Sequence, residues 1–207
     1  MNNIDKLNQI YRCHDILDER VLSVIKKVKR DLFVPEIFKN FAYTDFSIPL
    51  DSNQRMLTPS CEGKIIQSME LNENDNVLIV GTGSGYLAEC ASFLSNTVAS
   101  YEIDTGLFEF GKNNLDLHSA NRFKIHINNE SILKNLKKIN NYKKIIFTCS
   151  VDSYVDFIDY LGENSSTFFF INQYNSPYKK GIIVHKTRNS YTVNENIVTS
   201  QTNHIRD

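Results

Sequence analysis

The run Val77-Leu78-Ile79-Val80-Gly81-Thr82-Gly83-Ser84-Gly85 constrains this chain more than any other stretch of it. Four consecutive apolar residues, set between the polar Asn72-Glu73-Asn74-Asp75 and a glycine-rich turn, predict a short strand buried on both faces of a parallel sheet. Glycines at alternate positions then let the backbone approach a ligand, because no Cβ stands in the way. About twenty residues further on, the next apolar run ends in Glu102, a carboxylate able to accept hydrogen bonds from both hydroxyls of a ribose. The dinucleotide fingerprint G-x-G-x-x-G would need its third glycine where this chain has Tyr86. The spacing G-x-G-x-G instead suits an adenosyl ligand whose amino-acid tail lies over the loop and carries no phosphate.

The rest of the chain supplies the surroundings such a turn needs. Ile4, Leu7 and Ile10, then Ile16, Leu17, Val21, Leu22, Val24, Ile25 and Val28, recur at helical spacing. They predict two amphipathic helices, the second capped by Asp15 or Asp18 and ending near Arg30. From there to Pro59 the chain reads as irregular, a length often given to binding loops. Pro59 opens a helix to about Leu71 with Ile65, Ile66 and Met69 on one face. After the glycine turn come a helix from Tyr86 to about Leu94, strand Thr97 to Glu102, helix Thr105 to about Leu117 and strand Lys124 to Ile127. A helical turn after Ser131, strand Lys144 to Thr148, helix Tyr154 to Leu161 and strand Thr167 to Ile171 follow, then a hairpin of Gly181 to His185 and Tyr191 to Val198. Strands alternating with helices imply an open α/β sheet covered on both sides.

Charge and composition exclude other classes. The 23 basic and 24 acidic residues nearly cancel, which argues against nucleic acid as a partner. No apolar run nears the roughly 20 residues that cross a bilayer, and Cys13, Cys61, Cys90 and Cys149 form no C-x-x-C pair, so a cytoplasmic protein with reduced thiols is expected. The five histidines show no ligand spacing, so no metal is expected.

Three segments together resemble the protein-L-isoaspartate O-methyltransferase family, over nearly the whole length. They are Leu17-Asp18-Glu19-Arg20-Val21-Leu22 with Arg30-Asp31-Leu32-Phe33-Val34-Pro35-Glu36 and Ala42-Tyr43-Thr44-Asp45; Ile48-Pro49-Leu50 through Gln54 and Pro59; and Gly81-Thr82-Gly83-Ser84-Gly85-Tyr86-Leu87. The resemblance implies a Rossmann-like class I S-adenosylmethionine-dependent methyltransferase fold. One domain spans 1–207: a helical region and substrate loop over 1–60, the core over 61–172 and a C-terminal hairpin extension over 173–207. It also implies S-adenosylmethionine as cofactor and an isoaspartyl carboxylate in damaged protein as methyl acceptor. The cofactor would be held by Gly81, Thr82, Gly83, Ser84, Gly85 and Glu102, with Asn129 near the adenine edge, although Asn129 fits a turn former equally well.

Several positions depart from the family pattern. The substrate loop, Q-T-I-S-x-P in typical members, reads Gln54-Arg55-Met56-Leu57-Thr58-Pro59, so Leu57 stands at the serine position. Its side chain neither donates nor accepts a hydrogen bond, which leaves Thr58 or Ser60 as replacement catalytic hydroxyls. Thr58, just before Pro59, equally fits a helix N-cap. Ile79 and Lys143 replace acids, and Asn128-Asn129-Glu130 stands where G-D-G is common. The loop is similar to that of a bacterial branch reading M-L-x-P. A different methyl acceptor, and a cofactor-binding interaction protein without catalysis, remain as alternative readings.

Overall fold

A computed structural model describes residues 3–173, 176–200 and 202–205. Helix α1 (Asn3–Cys13) and helix α2 (Glu19–Lys27) match the two amphipathic patterns, though the side chain of Ile4 lies outside the described set. Asp18 is the cap of α2, its side chain accepting the Arg20 N–H at 2.8 Å. The helix stops earlier than the spacing predicts. Val28 turns extended and is buried, and two residues later the Arg30 side chain enters the interior with 0% exposure. Short 3-10 turns at Arg30–Leu32 and Glu36–Phe41 lead to helix α3 (Pro59–Met69).

The sheet has seven strands: β1 (Asn76–Val80), β2 (Thr97–Tyr101), β3 (Ile125–Asn128), β4 (Lys144–Val151), β5 (Ser165–Ile171), β6 (Lys179–Lys186) and β7 (Tyr191–Ser200). Their spatial order is β3-β2-β1-β4-β5-β6-β7; the first five are parallel and the last two antiparallel. Helix α4 (Tyr86–Ser92) joins β1 to β2 and helix α5 (Thr105–His118) joins β2 to β3. The helix expected from Tyr154 to Leu161 is instead a 3-10 segment, Val155–Tyr160, which ends where Leu161 turns extended and is buried.

Alternate residues of β1 feed two clusters. Val77 and Ile79 pack with Ile65, Ile66 and Leu87, while Leu78 and Val80 pack with Ile132, Ile145 and Phe147. That is the physical basis of the continuous apolar run. Because β1 neighbours β2 on one side and β4 on the other, the chain reverses direction across the sheet at the carboxyl ends of β1 and β4, the switch point at which open α/β sheets bind ligands. Strand β4 is irregular there. Ile146 pairs with Phe168 and Ser150 with Phe170, so Phe147, Thr148 and Cys149 face the single residue Phe169 across that edge. Bulges of this kind re-aim side chains, and Thr148 and Cys149 both line the cleft described next.

Candidate active site

A cleft of about 1110 Å³, counting the part open to solvent, lies over the carboxyl ends of β1, β2 and β4. Its floor is the glycine loop. The Gly81 N–H donates to the Tyr101 carbonyl at 2.8 Å, tying the loop to β2. Gly81 holds φ +95°, and a Cβ there would sit 2.2 Å from Thr148 Oγ1, so both conformation and space demand glycine. Thr148 Oγ1 in turn lies 3.0 Å from each of the Val80 and Gly81 carbonyls, clamping the loop to β4. Gly81, Thr82, Gly83 and Ser84 all line the cleft. Gly85 is not among the lining residues; it caps α4 at φ +85°, and a Cβ would meet Leu115 at 2.9 Å and the Gly111 carbonyl at 3.0 Å. It lets the loop pack against α5.

Glu102 follows β2 and is 6% exposed at the cleft wall. Its Oε2 accepts the Gly83 N–H at 3.0 Å and its Oε1 the Asp104 N–H at 3.2 Å. A carboxylate offers about four acceptor sites, so two backbone donors leave capacity for a ligand's hydroxyls. Beyond Glu102 the cleft is walled by Ile103, Leu107, Ser131 and Ile132. Asn129 is exposed and donates to Thr105 Oγ1 at 3.2 Å; Glu130, Ser131 and Ile132, rather than Asn129, reach the cleft.

The opposite end is formed by Leu50, Gln54, Arg55, Met56, Leu57 and Glu62. Thr58 and Ser60 do not line it. Thr58 Oγ1 accepts the Cys61 N–H at 3.3 Å and so caps α3. Ser60 Oγ donates to Asp45 Oδ2 at 2.8 Å, lies 3.0 Å from Thr58 Oγ1, and its N–H donates to Asp45 Oδ1 at 3.0 Å. Both hydroxyls are therefore engaged in holding the helix start to the loop before it.

Behind Leu57 lies a charged cluster. Arg30 Nη2 donates to the Leu57 carbonyl at 2.7 Å and stands 3.3 Å from Glu62 Oε2, with the guanidinium 5.0 Å over the Tyr86 ring. Arg30 Nε and Nη1, Glu62 Oε2, and the hydroxyls of Tyr11 and Tyr86 are buried without a hydrogen-bond partner among the described residues. Burial pushes the Glu62 carboxyl up to about 7; the Arg30 guanidinium opposes that shift and the Asp45 charge adds to it. Sequence reading does not select Arg30 or Glu62 as site residues. One signal for them exists: Glu62 shares the helical face of Ile65, Ile66 and Met69, and a carboxylate on a buried face calls for a cation.

The far wall comes from Thr202, Asn203, His204 and Ile205. Ser150 donates its N–H to the Asn203 carbonyl at 2.8 Å and accepts the Ile205 N–H at 2.8 Å, and Asn203 Nδ2 donates to the Asn53 carbonyl at 2.8 Å. No group of three or more His, Cys, Asp and Glu side chains among the described residues is arranged to hold a metal, and no described helix is long and apolar enough to cross a membrane.

A family model described as protein-L-isoaspartate(D-aspartate) O-methyltransferase matches residues 2–189. The chain belongs to that family. A curated protein-L-isoaspartate O-methyltransferase from Petrotoga mobilis is 39% identical over 101 residues, which cover 49% of this chain and 47% of the relative. One from Ruegeria pomeroyi is 40% identical over 93 residues, covering 45% of this chain and 42% of the relative. The matched stretch thus spans about half the length of these relatives. In three dimensions the chain is similar to a Plasmodium falciparum protein described as a protein-L-isoaspartate O-methyltransferase in complex with S-adenosyl-L-homocysteine: TM-score 0.83, 17% identity, 100% of this chain and 99% of that one. A second solved protein-L-isoaspartate O-methyltransferase gives a TM-score of 0.80 at 18% identity, covering 99% of this chain and 66% of that one. The fold is that of class I S-adenosylmethionine-dependent methyltransferases.

Proposed function

We propose that this chain transfers a methyl group from S-adenosylmethionine to the free carboxylate of isoaspartyl residues in damaged protein, in the cytoplasm. The observation that carries the reading is Glu102, buried at the switch point with acceptor capacity left over and joined through Gly83 to a loop that admits no side chain at Gly81. These residues fit an adenosyl group with an amino-acid tail. Gly81, Thr82, Gly83 and Ser84 would lie under the tail, Glu102 would hold the ribose, and Ile103 and Ile132 would flank the base. Gly85 and Asn129 would act indirectly, Gly85 by seating the loop on α5 and Asn129 by shaping the turn before Ser131. The solved relative with S-adenosyl-L-homocysteine supports the same cofactor.

Bound S-adenosylmethionine supplies an electrophilic methyl carbon attached to a positively charged sulfur. The acceptor is already an anion at neutral pH, so the chain need not remove a proton from it. Its own contribution is alignment and exclusion of water. Leu50, Met56 and Leu57 give the acceptor end apolar walls, with Leu57 7% exposed. Thr58 and Ser60 would serve by fixing the start of α3 rather than by touching the acceptor.

Calorimetric titration with S-adenosyl-L-homocysteine, followed by transfer of labelled methyl to an isoaspartyl peptide, tests the reading. It requires cofactor binding and a base-labile methyl ester. Cofactor binding with the label on a different group would replace the carboxylate acceptor with another.

A further inference from the structure

An anionic acceptor has to enter a cleft whose lining already holds the carboxylates of Glu62, Glu102, Asp104 and Glu130. Like charges at this range oppose its entry. Arg55 is the one lysine or arginine among the described lining residues, and it stands at the acceptor end beside Met56 and Leu57. Bringing a carboxylate against the apolar walls of that end calls for a cation or for several donors. Glu62 is committed to Arg30, at 3.3 Å, and adds no positive charge.

Resting on the carboxyl-methyltransferase reading, we infer that the Arg55 guanidinium binds the acceptor carboxylate and selects it over neutral groups. Its position is fixed before any ligand arrives. Residues 48–50 and 54–56 form a small antiparallel turn: the Leu50 N–H donates to the Gln54 carbonyl and the Met56 N–H to the Ile48 carbonyl, both at 2.8 Å, with Pro49 opposite Arg55. From that turn Arg55 Nε donates to Ser47 Oγ at 3.2 Å, Nη2 donates to the Ser47 carbonyl, and the guanidinium carbon lies 5.7 Å over the Phe46 ring. Ser47 is itself held, its Oγ donating to the Met56 carbonyl at 2.7 Å.

These contacts use one side of the fork only. Nε and the adjacent Nη2 proton go to Ser47, while Nη1 and the second Nη2 proton have no partner among the described residues. That open edge is the one that takes a carboxylate through two parallel hydrogen bonds. Arg55 is exposed and forms no ion pair among the described residues, so meeting the acceptor breaks no bond the fold relies on. Two neutral donors share the cleft: Gln54 at the same end, and Thr202 on the far wall, whose hydroxyl is buried without a partner among the described residues. Either can add a hydrogen bond, but neither brings charge, so the preference for an anion falls to Arg55.

The test is calorimetry, on protein saturated with S-adenosyl-L-homocysteine, of an isoaspartyl peptide and of the same peptide with a carboxamide in place of the acceptor carboxylate. The wild type should favour the carboxylate roughly tenfold to a hundredfold. Arg55→Gln should bind both peptides alike with its S-adenosyl-L-homocysteine affinity intact, and Arg55→Lys, which keeps the charge and loses the fork, should fall between. A wild type that binds the two peptides equally overturns the inference and leaves the methyltransferase reading intact; this comparison needs no variant to fold. A preference that survives in Arg55→Gln overturns it too, and one that survives there but vanishes in Thr202→Val hands the acceptor to the far wall. Loss of S-adenosyl-L-homocysteine affinity in a folded Arg55→Gln protein would reassign Arg55 to the cofactor and likewise overturn it. Cofactor binding without binding of either peptide removes the isoaspartyl reading and the inference with it.

Discussion

The Leu57 carbonyl accepts a hydrogen bond from the wholly buried guanidinium of Arg30 at 2.7 Å, so this cleft-lining residue is fixed through its backbone. The same nitrogen faces Glu62, and removing one partner strands the other charge in the interior. Arg30→Ala should cost about 3–5 kcal/mol in urea denaturation, while Arg30→Met combined with Glu62→Leu should recover most of that loss. A double variant no more stable than Arg30→Ala would show that the pair is not the source of the penalty.

Stability should fall as pH rises from about 4.5 to about 7. Glu62 titrates near 7 in the folded chain against an ordinary value of 4.5, so between those values the folded state binds more protons than the unfolded one. The penalty is absent below the unfolded value and complete above the folded one, on the order of 3 kcal/mol. Glu62→Gln should flatten that part of a urea-midpoint profile taken from pH 4.5 to 8, and an equally steep variant would refute the assignment.

At Gly81, alanine would carry a side chain into positive φ and into Thr148 Oγ1. Gly81→Ala should lose about 2 kcal/mol of stability and nearly all affinity for S-adenosyl-L-homocysteine. Thr148→Ser keeps the clamp hydroxyl and should retain binding, which a calorimetric comparison of the two variants checks.

Glu102 supplies a different kind of prediction, because it serves the loop and the ligand at once. Losing charge-assisted hydrogen bonds of about 1.5–3 kcal/mol should weaken S-adenosyl-L-homocysteine binding roughly tenfold to a hundredfold in Glu102→Ala. Unchanged affinity would move the ribose elsewhere.

Thr58→Ala should cost about 1 kcal/mol, and Thr58→Asn, which caps as well, should restore both stability and methyl transfer. Stability restored without methyl transfer would instead show that the hydroxyl takes part in the chemistry.

Local rules made the sheet and the glycine loop legible in the sequence. Val77–Val80 reads as buried because both faces of β1 are covered, and Gly81 reads as obligatory because its conformation is set by the turn that follows a strand. Arg30 and Glu62 follow no local rule: they are 32 positions apart, and each is intelligible only once the other is beside it. The same holds for Asn129, where a polar turn residue looks identical whether it faces a ligand or, as here, a neighbouring threonine. Thr148 and Cys149 reach the cleft through a slip in strand register that periodicity does not encode.

The bond from Asn203 to the Asn53 carbonyl joins residues 150 positions apart, and Ser150 holds the same segment from the opposite side. On the ribosome, the glycine loop and its parallel strands can assemble long before residues 202–205 emerge, but the wall they form cannot. A nascent chain would therefore carry a folded core with an open cleft. Ligand-binding competence should therefore lag behind assembly of the core, arriving only once residues 202–205 have emerged and the long loop back to Asn53 has been shut.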